Sequence, residues 1–264
     1  MQDIRARVES KSEHAPGLFS LFCSAPDLAR ETAPGQFAMI GLDGRSQPYL
    51  RRAFSVADLD AARGIVEFLV KVVGVGTACL AELVPGEEVR LLAPLGNAFR
   101  AGDLAGGDRV AIVAGGVGVA PFPLLLRDLA GRGVAADLYF GGRSAADLAY
   151  RKRILPLVTG REFTSTDDGT LGERGRVTDL LARELSAGAR YRRIYACGPT
   201  PMFRTLARLL EGQGADAEFS TEAPMGCGFG VCLACVLPRA GGGFLVSCKE
   251  GPILKPSAVD WSRC

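Results

Sequence analysis

Histidine is all but missing: His14 is the one imidazole in 264 residues. It sits in a polar stretch near the start, so histidine-based acid–base chemistry and zinc ligation by imidazole have almost no material here. Net charge is scarce as well. The 31 basic and 29 acidic residues leave +2, which argues against a polybasic nucleic-acid surface. No run of eighteen apolar residues occurs, so no membrane-spanning helix is expected. The opening MQDIRARVESKSEH lacks the apolar centre of a signal peptide. A reducing, cytoplasmic setting is the expectation that follows. What the chain does have is an apolar fraction of 48%, ample for a core, and eight cysteines, four of them crowded near the end. In a reducing compartment such crowding reads as ligands or redox groups rather than disulfides.

The pattern changes near residue 105. Before it, short apolar runs are cut by Pro and Gly: DIRARV, GLFSLF, GQFAMIGL, RRAFSV, GIVEFLVKVV and EEVRLLAPLG. These predict strands of a small antiparallel barrel, with one helical interruption at TACLAEL. In IVEFLVKVV the only charges are Glu67 and Lys71, which suits a strand with one partly solvated face. After residue 105, strand-like and helix-like stretches alternate, as parallel strands with helical crossovers require. DRVAIVAGG, AADLYFGG, REFTSTDDG, RRIYACGP and ADAEFS read as strands; PFPLLLRDLAGRG, SAADLAYRKRI, VTDLLARELSAG and TPMFRTLARLLEGQG read as helices. The expected organisation is a barrel over 1–104, an α/β domain over 105–220, and a Gly- and Cys-rich tail over 221–264 that is too short to fold alone.

In the tail, Cys227, Cys232, Cys235 and Cys248 follow C-x4-C-x2-C-x12-C. The first three match the plant-type [2Fe–2S] loop, with the fourth ligand arriving from downstream. Gly226, Gly228 and Gly230 relieve crowding and free backbone N–H groups to face the sulfurs. A structural zinc site is the alternative, although zinc ribbons pair two C-x2-C knuckles and only Cys232–Cys235 forms one.

Two further stretches suit nucleotides. AIVAGGVGVAPF puts a Gly-rich turn, with Gly115, Gly116 and Gly118, between a strand and a helix; there a backbone can approach a pyrophosphate and the helix N-terminus favours its charge. It is not the strict dinucleotide fingerprint and could be a tight turn alone. GVGT (Gly74–Thr77) could be a second phosphate-binding helix start, and RRAFSV a barrel strand with a surface Arg pair.

Together these marks are stronger than apart. RAFS, GVGT, GGVGVAP and CGP, with PGQF (Pro34–Phe37) and PLGNAF (Pro94–Phe99), resemble the ferredoxin–NADP reductase superfamily, which pairs an FAD-binding barrel with a nicotinamide-binding α/β domain. The cysteine tail narrows the resemblance to the electron-transfer subunits of type B dihydroorotate dehydrogenases, across essentially the whole chain. The resemblance implies FAD, NAD and a [2Fe–2S] cluster. Arg52 would hold an FAD phosphate, Ala53 and Phe54 would lie along the flavin, and Ser55 would hydrogen-bond near its reactive nitrogen. Phe54 departs from the Tyr frequent in the superfamily. Leu69, Val70 and Lys71 would line the other flavin edge, while Gly76 and Thr77 would bind its pyrophosphate. Gly115, Gly116, Gly118, Cys197, Gly198 and Pro199 would face the nicotinamide nucleotide, with Ser55 and Cys197 as the catalytic pair. Asp167 and Asp168 would meet the adenosine ribose and favour NAD over NADP. The four tail cysteines would ligate the cluster. The implied partner is an FMN-containing catalytic subunit oxidising dihydroorotate to orotate in pyrimidine biosynthesis, in a heterotetramer of two of each, with no nucleic acid and no membrane. The gamma subunit of cytoplasmic hydrogenases and the small subunit of NADH-dependent ferredoxin–NADP oxidoreductases share this architecture and remain alternatives. A non-enzymatic zinc module is a third.

Overall fold

Six apolar runs become six strands. β1 (Gln2–Ala15), β2 (Leu18–Ser24), β3 (Phe37–Gly41), β4 (Arg52–Asp60), β5 (Ile65–Lys71) and β6 (Glu88–Leu95) close an antiparallel barrel in the order β1-β2-β5-β4-β3-β6. This computed structural model describes residues 1–42, 49–214 and 216–264. The period-2 alternation of β5 explains both of its faces. Val66, Phe68 and Val70 point into the barrel core, whereas Leu69 joins the core of the second half. Two short helices interrupt the barrel: α1 (Pro26–Glu31), begun by a proline in its first turn, and α2 (Val75–Glu82). His14 lies within β1, its Nε2 2.8 Å from the Ser20 hydroxyl.

The second half is a doubly wound sheet. β7 (Arg109–Gly115) is its central strand, and Val110 to Ala114 are fully buried because both faces are covered. Val110, Ile112 and Ala114 meet α3 (Phe122–Gly131); Ala111 and Val113 meet α5 (Val177–Ser186) and α6 (Thr200–Leu210). Parallel to β7 run β8 (Ala135–Gly142), β9 (Glu162–Thr166), β10 (Glu173–Arg174), β11 (Arg193–Cys197) and β12 (Asp216–Ser220). The order is β10-β9-β8-β7-β11-β12, and the tail adds β15 (Ile253–Leu254) antiparallel beside β12. The tail also carries a hairpin, β13 (Val236–Pro238) with β14 (Phe244–Val246), and a turn of helix, α7 (Ser247–Glu250).

Two expectations are corrected. The helix read over SAADLAYRKRI is broken into a 3₁₀ turn at Ala145–Leu148 and a single turn, α4 (Arg151–Ile154). Leu148, Tyr150 and Ile154 are all buried, and Asp147 is turned toward β5, so the segment follows the barrel surface rather than a helical stripe. Glu67 is not partly solvated but 2% exposed. Its carboxylate accepts from Ser20 (2.6 Å), Tyr150 (3.0 Å) and Arg153 (2.9 Å), so the face read as solvated is covered by the other half of the chain. No helix among the described residues is long and apolar enough to cross a membrane.

Candidate functional site

A cleft of about 490 Å³ opens at the C-terminal ends of the parallel strands, where open α/β sheets bind ligands. Its wall brings together seven of the expected residues: Lys71 from the barrel, Gly115, Gly116 and Gly118 after β7, Asp167 after β9, and Gly198 and Pro199 after β11. Gly118 is there for a steric reason. A β-carbon on it would lie 2.5 Å from the Cys197 carbonyl oxygen, so only glycine lets the loop pass under β11. Cys197 lies just beneath the cleft, 2% exposed, and burial pushes its thiol well above the usual range. The two aspartates part company. Asp167 lines the cleft; the Asp168 carboxylate accepts from the Thr170 N–H (2.9 Å) and hydroxyl (2.6 Å) and caps its own turn.

The same cleft includes residues that sequence reasoning missed: Arg143, Asp147, Arg176, Thr178, Met202 and Glu222 among them. Glu222 is exposed by area yet sits where surrounding protein crowds the cleft, and that desolvation raises its carboxyl. Arg143 and Arg176 each follow directly on a glycine at the end of a strand, a position that could have flagged them; nothing local marks the others.

The remaining expected residues lie on the barrel. Arg51 is committed to Asp3 (3.1 and 2.9 Å). Arg52 has no carboxylate partner among the described residues and donates to the Leu50 carbonyl. Its guanidinium lies across the start of α2, so close that a β-carbon on Gly76 would sit 2.3 Å from Nε. The Thr77 hydroxyl accepts from the N–H groups of Val73 (2.8 Å) and Gly74 (3.1 Å) and donates to the Gly74 carbonyl (2.9 Å), closing that loop. A guanidinium with no carboxylate partner among the described residues, over a glycine-lined helix start, fits a phosphate of FAD. On β4, Ala53 is exposed while Phe54 and Ser55 are half-buried, with Ser55 paired to Phe37 of β3. Leu69 and Val70 are buried.

The tail folds against the outside of the barrel. Cys235 and Cys248 are buried with Phe37, Met39, Leu92 and Leu95, whereas Cys232 is exposed and Cys227 half-buried. A β-carbon on Gly228, whose φ is +83°, would meet the Met39 side chain at 2.5 Å, so this glycine seats the loop on the barrel. Asn97 clamps the far end: its side chain donates to the Ile253 carbonyl (2.8 Å) and accepts from the Ile253 N–H (2.9 Å).

The thiols stand in two pairs. The Cys232 N–H donates to the Cys227 sulfur (3.5 Å), and the Cys248 N–H to the Cys235 sulfur (3.4 Å). The Gly230 N–H donates to Cys248 (3.0 Å). Burial works to raise the Cys227 thiol, but the N–H groups of Cys232, Phe229 and Val231 pull it down to about 6. Burial, and then Cys235 beside it, pushes the Cys248 thiol up to about 12. Among the described residues no three His, Cys, Asp or Glu side chains converge as a single-ion site. Two thiol pairs with N–H groups aimed at the sulfurs fit a binuclear iron–sulfur group, which takes two ligands on each iron, better than one tetrahedral zinc.

Comparison with known proteins gives a consistent result. Residues 10–99 match the family model of the oxidoreductase FAD-binding domain, 112–208 that of the oxidoreductase NAD-binding domain, and 222–260 that of the iron–sulfur cluster binding domain of dihydroorotate dehydrogenase B. The chain is 34% identical over 257 residues to the dihydroorotate dehydrogenase B (NAD(+)) electron transfer subunit of Geobacillus thermodenitrificans, covering 97% of each chain. It is 32% identical to that of Desulforamulus reducens, covering 94% of each. Among solved structures, that of an NADH-dependent reduced ferredoxin–NADP oxidoreductase superposes with a TM-score of 0.86 at 26% identity, over 97% of this chain and 90% of the other.

Proposed function

Because the chain belongs to the family of dihydroorotate dehydrogenase B electron transfer subunits, we propose that it carries electrons between NAD⁺ and the FMN of a separate catalytic subunit that oxidises dihydroorotate to orotate. When bound, nicotinamide exchanges hydride, FAD accepts electrons in pairs or singly, and the iron–sulfur group passes them singly. The residues divide that labour by place. Arg52 and the start of α2 hold the FAD phosphates, and Ser55 and Phe54 orient its ring from β4. Gly115, Gly116 and Gly118 admit the nicotinamide nucleotide to the cleft, Gly198 and Pro199 flank it, and buried Cys197 closes the floor against water. Cys227, Cys232, Cys235 and Cys248 hold the iron–sulfur group, with backbone N–H groups tuning it.

The observation that carries this reading is the tail: two thiol pairs, one buried on the flavin-type barrel and the other facing out. The loop from Cys227 to Cys235 also exposes Phe229, Val231 and Leu233. Leu233 has φ +55°, which a leucine adopts only under constraint. Strain and exposed apolar surface in one loop support it as the face toward the catalytic subunit, in an assembly of two of each. A reducing, cytoplasmic setting belongs to the same proposal, since thiolates that hold an iron–sulfur group must stay reduced. The domain limits 1–104, 105–220 and 221–264 are part of the same proposal, with the tail annexed to both other units.

The test is purification with whatever stays bound, followed by an absorption spectrum and iron analysis. One FAD and one two-iron group per chain, with an FMN protein co-purifying, is the expected result. The likeness to the ferredoxin–NADP oxidoreductase supports one alternative, the small subunit of such an enzyme, which co-purification of a larger flavoprotein would select.

A further inference from the structure

One carboxylate in the nucleotide cleft serves two halves of the chain. Asp147 stands in the 3₁₀ turn after β8, its side chain 11% exposed. One oxygen, Oδ1, accepts from Lys71 Nζ of the barrel strand β5 (2.5 Å) and from Arg143 Nη2 (3.4 Å). The other, Oδ2, accepts from the backbone N–H (3.1 Å) and Nε (3.0 Å) of Arg143. Four N–H groups thus converge on one nearly buried side chain. Lys71, Arg143 and Asp147 all line the cleft, and Arg143 reaches into it with 78% of its side chain exposed. Its backbone is fixed on the other side, where the Arg143 carbonyl accepts from the Asp168 N–H (3.1 Å). Around the cleft, Lys71, Arg143 and Arg176 stand against Asp147 and Asp167, with Glu222 on the same lining, so the geometry of the cations matters more than their number.

A long arginine at a cleft rim loses rotamer freedom when it grips an anion, and holding it beforehand lowers that cost. A carboxylate engaged by Nε and the main chain fixes the side chain at its root while the guanidinium edge stays open to the cleft. Asp147 touches no expected reacting atom, so its effect is through the two cations.

We infer that Asp147 is a positioning residue that holds Arg143 and Lys71 as a paired cationic wall for the phosphates of the dinucleotide. The inference rests on the nicotinamide reading of the cleft and adds residues to it. With Asp147 replaced, the wall keeps its two cations but loses the carboxylate that orients them, so nucleotide binding weakens while the chemistry after binding does not.

The experiment is steady-state NADH oxidation by the flavin- and iron-loaded protein with ferricyanide as acceptor. Asp147→Asn should raise KM for NADH about tenfold, the loss of one charge-assisted contact to phosphate, with kcat within about twofold and flavin content unchanged. Arg143→Ala should raise KM similarly, and the double variant should add little, because both remove one grip. Asp147→Glu should recover part of the loss. An Asp147→Asn protein with unchanged KM overturns the inference. So does one in which kcat, flavin content and Tm all fall together, since that marks a structural strap between the halves. Should Asp147→Asn not fold, Arg143→Ala decides: its side chain is exposed, and a wild-type KM there overturns the inference. Failure of the nicotinamide reading is distinct, because then the unaltered protein would not oxidise NADH at all.

Discussion

Arg51 and Arg52 are adjacent, carry the same charge and answer to different parts of the molecule. Arg51 pairs with Asp3 on β1, whereas Arg52 lies over Gly76 at the start of α2 with no carboxylate partner among the described residues. Arg52→Ala should therefore release FAD on gel filtration, while Arg51→Ala keeps it and loses only about 0–1 kcal/mol of surface ion pairing. Equal flavin retention in the two would show that the phosphate is held elsewhere. Asp167 and Asp168 invite the same comparison. A 2′-phosphate brings up to about two negative charges, and repulsion of about 1.4 kcal/mol suffices for a tenfold preference. Asp167 faces the cleft, so Asp167→Ala should narrow the preference for NADH over NADPH about tenfold. Asp168 is spent on Thr170, so its replacement should cost stability rather than selectivity. Ratios of kcat/KM for the two nucleotides give the answer directly.

At the scale of elements, the six barrel strands and the alternating second half were legible because each has its own hydrophobic period. What was not legible is where distant elements meet. Glu67 alternates with Val66 and Phe68 as a solvated residue would, since a strand's period cannot say whether water or another domain covers its outer face. Asp147 gave no local signal, because Lys71 and Arg143 reach it from two units. In PLGNAF, Asn97 read as part of a motif, and its work as a clamp on Ile253 needed the third dimension. Asn97→Ala should cost about 1–3 kcal/mol by leaving the buried Ile253 peptide groups unpaired, visible as faster iron loss at unchanged flavin content. The Lys71–Asp147 contact between the halves should also be acid-labile. Burial works to raise the Asp147 carboxyl, but Arg143 and Lys71 hold it at about 2, against the ordinary value of 3.8. Its contribution, about 2 kcal/mol, is complete above the ordinary value and is lost as pH falls from about 4 through 2. Asp147→Asn should lower Tm at neutral pH and flatten the dependence of Tm on pH over that interval, with the slope of the neutral-to-alkaline limb unchanged.

The molecule as a whole carries a nucleotide-type cleft, a flavin-type barrel and a thiol tail on the barrel's outer surface. Cys232→Ser should remove iron and leave FAD bound, because Cys232 lies in the tail whereas Arg52, the residue proposed to hold the FAD phosphate, lies on β4. Phe229 at 44% and Val231 at 72% exposure lie in the loop between Cys227 and Cys232. Exposed apolar patches on soluble proteins mark interaction sites, and electron transfer requires the two redox groups to lie close. Phe229→Glu puts a charge where an interface centre disfavours it, so assembly with the FMN catalytic subunit should weaken. NADH oxidation with an artificial acceptor should persist, because the cleft and Arg52 lie on other elements. Alone, the chain should oxidise no dihydroorotate. Reconstitution with the catalytic subunit should yield NAD⁺-dependent orotate formation, and Phe229→Glu should reduce that coupled rate far more than the NADH–acceptor rate. If the variant assembles normally but loses iron, the loop packs internally and docking lies on another face. If reconstitution with the unaltered chain never couples orotate formation to NAD⁺, the ferredoxin–NADP oxidoreductase reading replaces the one argued above.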